Sequence, residues 1–108
     1  MAYTGTEGEM ISRSEARLLL ANYQNSPAYP ANNNTEGILF GRVHLEDILS
    51  QSGCKGVRIY YGKVGPLITD LVQLVIVGTD IDGNDMTNLI LDTGLPCPNY
   101  CSSQSTKL

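Results

Sequence analysis

Three cysteines and a single histidine are the residues of this chain best suited to thiol or metal chemistry. Cys97 and Cys101 flank Pro98-Asn99-Tyr100, and Pro96 and Pro98 stiffen the segment. Two thiols at that spacing can close a reversible disulfide or chelate a metal. Cys54 and His44 would complete a Cys3His set of the kind that holds tetrahedral zinc. Zinc is therefore the one cofactor the sequence suggests, with Cys54, Cys97, Cys101 and His44 as its candidate ligands. The spacing departs from Cys-x-x-Cys, where helix-terminal placement lowers a thiol pKa. The plainer reading is packed or exposed free thiols, with His44 at the edge of a helix one turn before Ile48.

The carboxylates offer two further patterns. Asp80, Asp82 and Asp85 put hard oxygen ligands close together, as in part of a calcium loop. A full loop of that kind has Gly sixth and a bidentate Glu twelfth. Counted from Asp80, Gly83 comes fourth and Leu91 twelfth, so the Asp-Gly pair predicts a hairpin turn instead. Leu89 to Gly94 (LILDTG) resembles the catalytic signature of the aspartic proteases. That resemblance implies an Asp92 dyad sharing a proton across a homodimer. It covers these residues alone, and the protease fold needs long β structure after the triplet, so turn chemistry for Asp92 and Gly94 is expected. Arg58, Tyr60 and Lys63 could present a basic, aromatic face to an anion or nucleotide, but no Gly-rich phosphate motif accompanies them. His44 has no partner nucleophile that the sequence identifies.

Two helices and three strands must position these groups. Ser12-Arg13-Ser14-Glu15 fits a capping box. It opens a helix from Arg13 to about Gln24, with Ala16, Leu19, Leu20 and Tyr23 on one stripe that Leu18 widens. Asn25-Ser26-Pro27 ends it. Residues 25–37 read as a long polar loop, mobile or packed on the surface through Tyr29. Ile38 to Phe40 is a brief strand or a staple into a second helix, Arg42 to about Gln51, which carries Leu45, Ile48 and Leu49 inward. Gly53 stands where a left-handed residue closes such a helix. Strands are expected at 57–62, 71–79 and 86–91, the first by alternation of Val57, Ile59 and Tyr61 with Arg58 and Tyr60. The second, LVQLVIVGT, is apolar on both faces, as a central strand covered on both sides would be. Two short helices cannot cover both faces, so a second copy on the other face is expected.

The fold class is thus α+β: two helices packed on a three-stranded antiparallel β-meander. One domain spans 11–101, with a frayed arm at 1–10 and a loose tail at 102–108. The chain has 108 residues, 42% hydrophobic and 17% charged, enough for a core and too apolar for wholesale disorder. Seven Lys+Arg against eleven Asp+Glu give a net charge of −4, which disfavours generic phosphate binding, so no nucleic-acid partner is expected. No basic-then-apolar leader and no membrane-length apolar run are evident, so a cytoplasmic protein without a membrane partner is expected. Six of the seven basic residues fall between Arg13 and Lys63, and none falls between Val64 and Thr106.

Three segments carry a longer resemblance: GRVHLEDILSQ from Gly41 to Gln51, GCKGVRIYYG from Gly53 to Gly62, and LPCP from Leu95 to Pro98. Residues 11 to 101 resemble a family of short uncharacterised bacterial proteins. The resemblance implies a bacterial cytoplasmic origin and carries no activity. With no workable catalytic set, the expectation is a non-enzymatic interaction or accessory domain, self-associating as a homodimer or binding a protein partner. The alternative is a thiol- or zinc-dependent protein using Cys97 and Cys101.

Overall fold

The structure is a computed structural model and describes residues 2–67 and 70–98. Helix α1 (Arg13–Gln24) starts as its capping box requires. The Ser12 hydroxyl accepts from the Glu15 N–H and donates to the Glu15 carboxylate, both at 3.1 Å. The polar segment after it contains a one-turn helix, α2 (Ala28–Ala31). Tyr23 ties the two together: its ring meets Tyr29 edge-on at 5.5 Å, and its hydroxyl donates to Thr35 O at 2.9 Å. Asn33 and Asn34 both take left-handed backbone, at φ 61° and 54°. Asparagine tolerates that region better than most residues, which accounts for its use in this tight return.

Strand β1 (Gly37–Leu39) leads to α3 (Arg42–Leu49), and Gly53 beyond it has φ 84°, the left-handed value expected there. The main sheet is antiparallel in the order β2 (Gly56–Lys63), β3 (Val72–Thr79), β4 (Asp85–Leu91). These strands match the expected meander to within one residue at each end. A second sheet of two strands pairs β1 with β5 (Leu95–Cys97), setting Ile38 opposite Pro96. The segment expected to close the regular structure is therefore a strand. Proline is acceptable in it because a two-stranded sheet consists only of edges.

The pairing of β2 with β3 is unbroken from Gly56↔Thr79 to Lys63↔Val72. Val57, Ile59 and Tyr61 therefore share one face with Leu74, Ile76 and Gly78, while Arg58, Tyr60, Val75 and Val77 share the other. Helix α3 lies on the first face. A Cβ on Gly78 would come within 2.9 Å of Gln51 Nε2, 3.1 Å of Cys54 Sγ and 3.3 Å of Ile48 Cγ2, so glycine is what lets helix and strand approach. Ile48, Ile76 and Val77 are the buried hydrophobic core among the described residues.

Helix α1 buries no residue and packs mainly against α2 rather than on the sheet. Ala16, Leu20 and Tyr23 are half-buried as the stripe predicts, but Leu19 is 60% and Leu18 62% exposed. The second helix ends at Leu49, with Ser50 as its C-cap, two residues before the expected Gln51. Strand β4 also departs from a plain meander. Gly78 pairs with Met86 and Val77 with Ile90, so Thr87, Asn88 and Leu89 bulge out of the ladder.

Candidate functional site

The sequence-predicted thiol and metal candidates are spread over the fold. Cys54 sits between α3 and β2, half-buried and free, and donates from Sγ to Gly56 O at 3.2 Å. Cys97 ends β5 opposite Gly37 and is disulfide-bonded. An oxidised sulfur supplies no thiolate to a metal, so the Cys3His set requires Cys97 reduced. Cys101 lies outside the described residues. Among the described residues no group of three or more His, Cys, Asp or Glu side chains is gathered as a metal site.

His44 is exposed on α3 and faces the turn that follows β4. It lines two adjoining clefts, of about 500 and about 350 Å³, together with Leu91, Asp92 and Thr93. Thr93 has φ 62°, a costly conformation for a β-branched residue. The Asp92 carboxylate is already engaged: Gln73 of β3, with its amide turned to donate, reaches Oδ2 at 2.9 Å and Oδ1 at 3.1 Å. Gly94 allows close packing there, since a Cβ on it would collide with Ile38 Cγ2 and lie 2.9 Å from Leu39 O. The Asp92-Thr93-Gly94 triplet therefore shapes a turn that docks the small sheet, in line with the turn chemistry expected of it.

The Asp80 cluster also divides among structural duties. Asp80 Oδ1 accepts from the N–H groups of Asp82 and Asn84, both at 2.9 Å, which closes the β3–β4 turn. Asp85 faces the other way, across the sheet surface. Arg58 and Tyr60 both donate to its carboxylate, and Arg58 also donates to Gly83 O at 3.0 Å. The Tyr60 hydroxyl first, and then the Arg58 guanidinium, hold the Asp85 carboxyl below the usual carboxylate range; Asp85 in turn raises Arg58. The anion for which Arg58 and Tyr60 are suited is thus supplied by the chain itself, 27 residues away from Arg58.

What remains open is the outer edge of β2. The sheet order leaves this strand with no neighbour on that side among the described residues. Val64 donates to Leu71 O at 3.1 Å, and this bond sets the alternation along the antiparallel ladder. Val57, Ile59 and Tyr61, and Lys63 at the strand's end, consequently turn both N–H and C=O outward. Val57, Ile59 and Tyr61 are 39%, 49% and 90% exposed. Hydrogen-bonding groups and apolar side chains thus coincide at three alternate residues, the arrangement a docking strand needs. The sequence contained a signal for this edge, because a three-stranded meander always leaves its first and third strands open.

A scan against protein-family models and searches of curated proteins and solved structures return no match to this chain.

Proposed function

We propose that this chain is a non-enzymatic protein-interaction domain whose working surface is the open edge of β2. The observation that carries this reading is the coincidence, at Val57, Ile59 and Tyr61, of outward backbone groups with exposed apolar side chains. Natural edge strands are commonly blunted by proline, by lysine, by a bulge or by a covering loop. Residues 56–63 contain no proline, their register with β3 is unbroken, and their one lysine, Lys63, stands at the end of the strand. A strand laid against this edge gains main-chain hydrogen bonds for affinity and side-chain contacts for selectivity. A cytoplasmic, bacterial setting completes the reading, and no helix among the described residues is long and apolar enough to cross a membrane.

The test is a photo-reactive phenylalanine analogue placed at position 61 in the producing cell, with one at the exposed Leu18 of α1 as control. Adducts at 61 well above those at 18 support the reading. Equal yields at the two positions refute it.

A second reading is favoured by the oxidised state of Cys97. In a reducing compartment persistent structural disulfides are rare, so a bond at Cys97 there would be redox-active. In that case Cys97 and Cys101 carry the function, as a reversible disulfide or, once reduced, as zinc ligands with Cys54 and His44. Replacing Cys97 and Cys101 by serine would then abolish function while leaving the β2 edge intact.

A further inference from the structure

We infer that the strand docking on β2 belongs to another protein and carries a carboxylate at each end of a short apolar stretch. The inference rests on the interaction reading above and names the chemistry of the partner. Outward backbone groups are common to any edge strand, so the occupant is selected by the side chains beside them. On β2 these are Val57, Ile59 and Tyr61, which share one face and are exposed. A lysine stands just beyond each end of this apolar row, Lys55 before it and Lys63 after it, and both are exposed. Ladder pairing stops short of Lys55. Its N–H already donates to Thr79 O at 2.7 Å, and a Cβ on Gly5 of the N-terminal arm would lie 3.1 Å from its carbonyl oxygen. Lys55 therefore meets a partner through its side chain alone.

The complement of this edge is an extended segment with apolar residues at three alternate positions and Asp or Glu flanking them. Opposite charges across neighbouring strands stabilise the pair, and like charges opposite one another destabilise it. A second copy meets this condition badly: laid antiparallel about Ile59, it brings Lys55 of each chain to the level of Lys63 of the other. Arg58 adds nothing to the selection, because Asp85 of the same chain already neutralises it. The two lysines are thus the charges that choose the partner.

The experiment is fluorescence anisotropy of two labelled, end-capped nine-residue peptides titrated with the full chain at low salt. Both peptides carry valine at the three inner alternate positions and threonine between them; one has glutamate at each end, the other lysine. The expected result is at least tenfold tighter binding of the glutamate-ended peptide, with a preference that shrinks as salt rises. The net charge of −4 would by itself favour the lysine-ended peptide, so this preference reports the two local lysines. Lys55→Glu combined with Lys63→Glu should reverse the order with an unchanged far-UV spectrum, since both residues are exposed. Equal affinities, or a preference that the double variant leaves unchanged, overturn the acidic partner, and 15N amide shifts along β2 would then still uphold the interaction reading. A dimer in sedimentation equilibrium that the glutamate-ended peptide fails to dissociate overturns it in favour of a second copy. Binding of neither peptide overturns it as well; adducts at position 61 would then keep the interaction reading alive, and their absence would end both.

Discussion

Replacing Ile48 by alanine tests how the helical layer is held. Ile48 is 2% exposed and inserts toward the space that Gly78 leaves open, whereas its neighbour Leu49 is 53% exposed. Truncation removes three buried carbons, about 2.4 kcal/mol at ~0.8 kcal/mol each. The unfilled cavity adds to this, so a total of about 3 kcal/mol lies within the range seen for such changes. With so few buried side chains, the domain should sit near the lower end of domain stabilities, roughly 5 kcal/mol. The variant should therefore lose more than half of its stability. At a urea slope of about 1.3 kcal/mol/M the midpoint falls by about 2 M. The assay is urea unfolding at fixed protein concentration, since association would shift the midpoint. Leu49→Ala, on the exposed side of the same turn, should cost under about 1 kcal/mol, and Ile48→Val should cost about 1 kcal/mol if the alanine variant does not fold. Equal midpoints for Ile48→Ala and Leu49→Ala would refute the claim that Ile48 anchors α3.

Asp85 is held below its ordinary pKa by Tyr60 and Arg58, so its ionised form stabilises the fold above the unfolded carboxylate range, and that stability is lost as pH falls through the lower folded value. Asp85→Asn should therefore flatten the acid side of a stability-against-pH curve measured from pH 7 to 3; an unchanged curve would show the contact to be idle. Gly94→Ala should unseat β5 from β1, because the new methyl meets Leu39 O as well as two side chains; loss of amide protection at Ile38 and Leu39 with β2–β4 intact is the expected exchange pattern. Under denaturing conditions an alkylating reagent should modify Cys54 without reductant and Cys97 only after reduction, as read by peptide mapping.

Features set by neighbouring residues were legible in the sequence. The Ser12–Glu15 cap, the left-handed Gly53 and the alternation of β2 depend on spacings of a few residues, and they stand where the pattern puts them. The features missed depend on partners far along the chain. The pairing of Ile38 with Pro96 joins segments that each look irregular alone, and proline argues against a strand until its partner is known. Leu19 has the spacing of a buried residue, but which positions of an amphipathic helix are covered is decided by what packs on it, and α1 leans on α2. Arg58 and Tyr60 looked like an empty anion site because nothing local identifies Asp85 as the occupant.

The displaced residues Thr87, Asn88 and Leu89 bear on how far pairing through the sheet can extend. A three-stranded sheet with two regular edges is a unit of polymerisation, since every added copy offers a fresh edge. Here β4 breaks step with β3 midway along its length, which bends that edge and spoils the even row of donors and acceptors a further strand would need. In this sheet, among the described residues, only β2 keeps a straight edge. Strand addition to this sheet therefore has one regular edge to use and no second from which a fibre could grow.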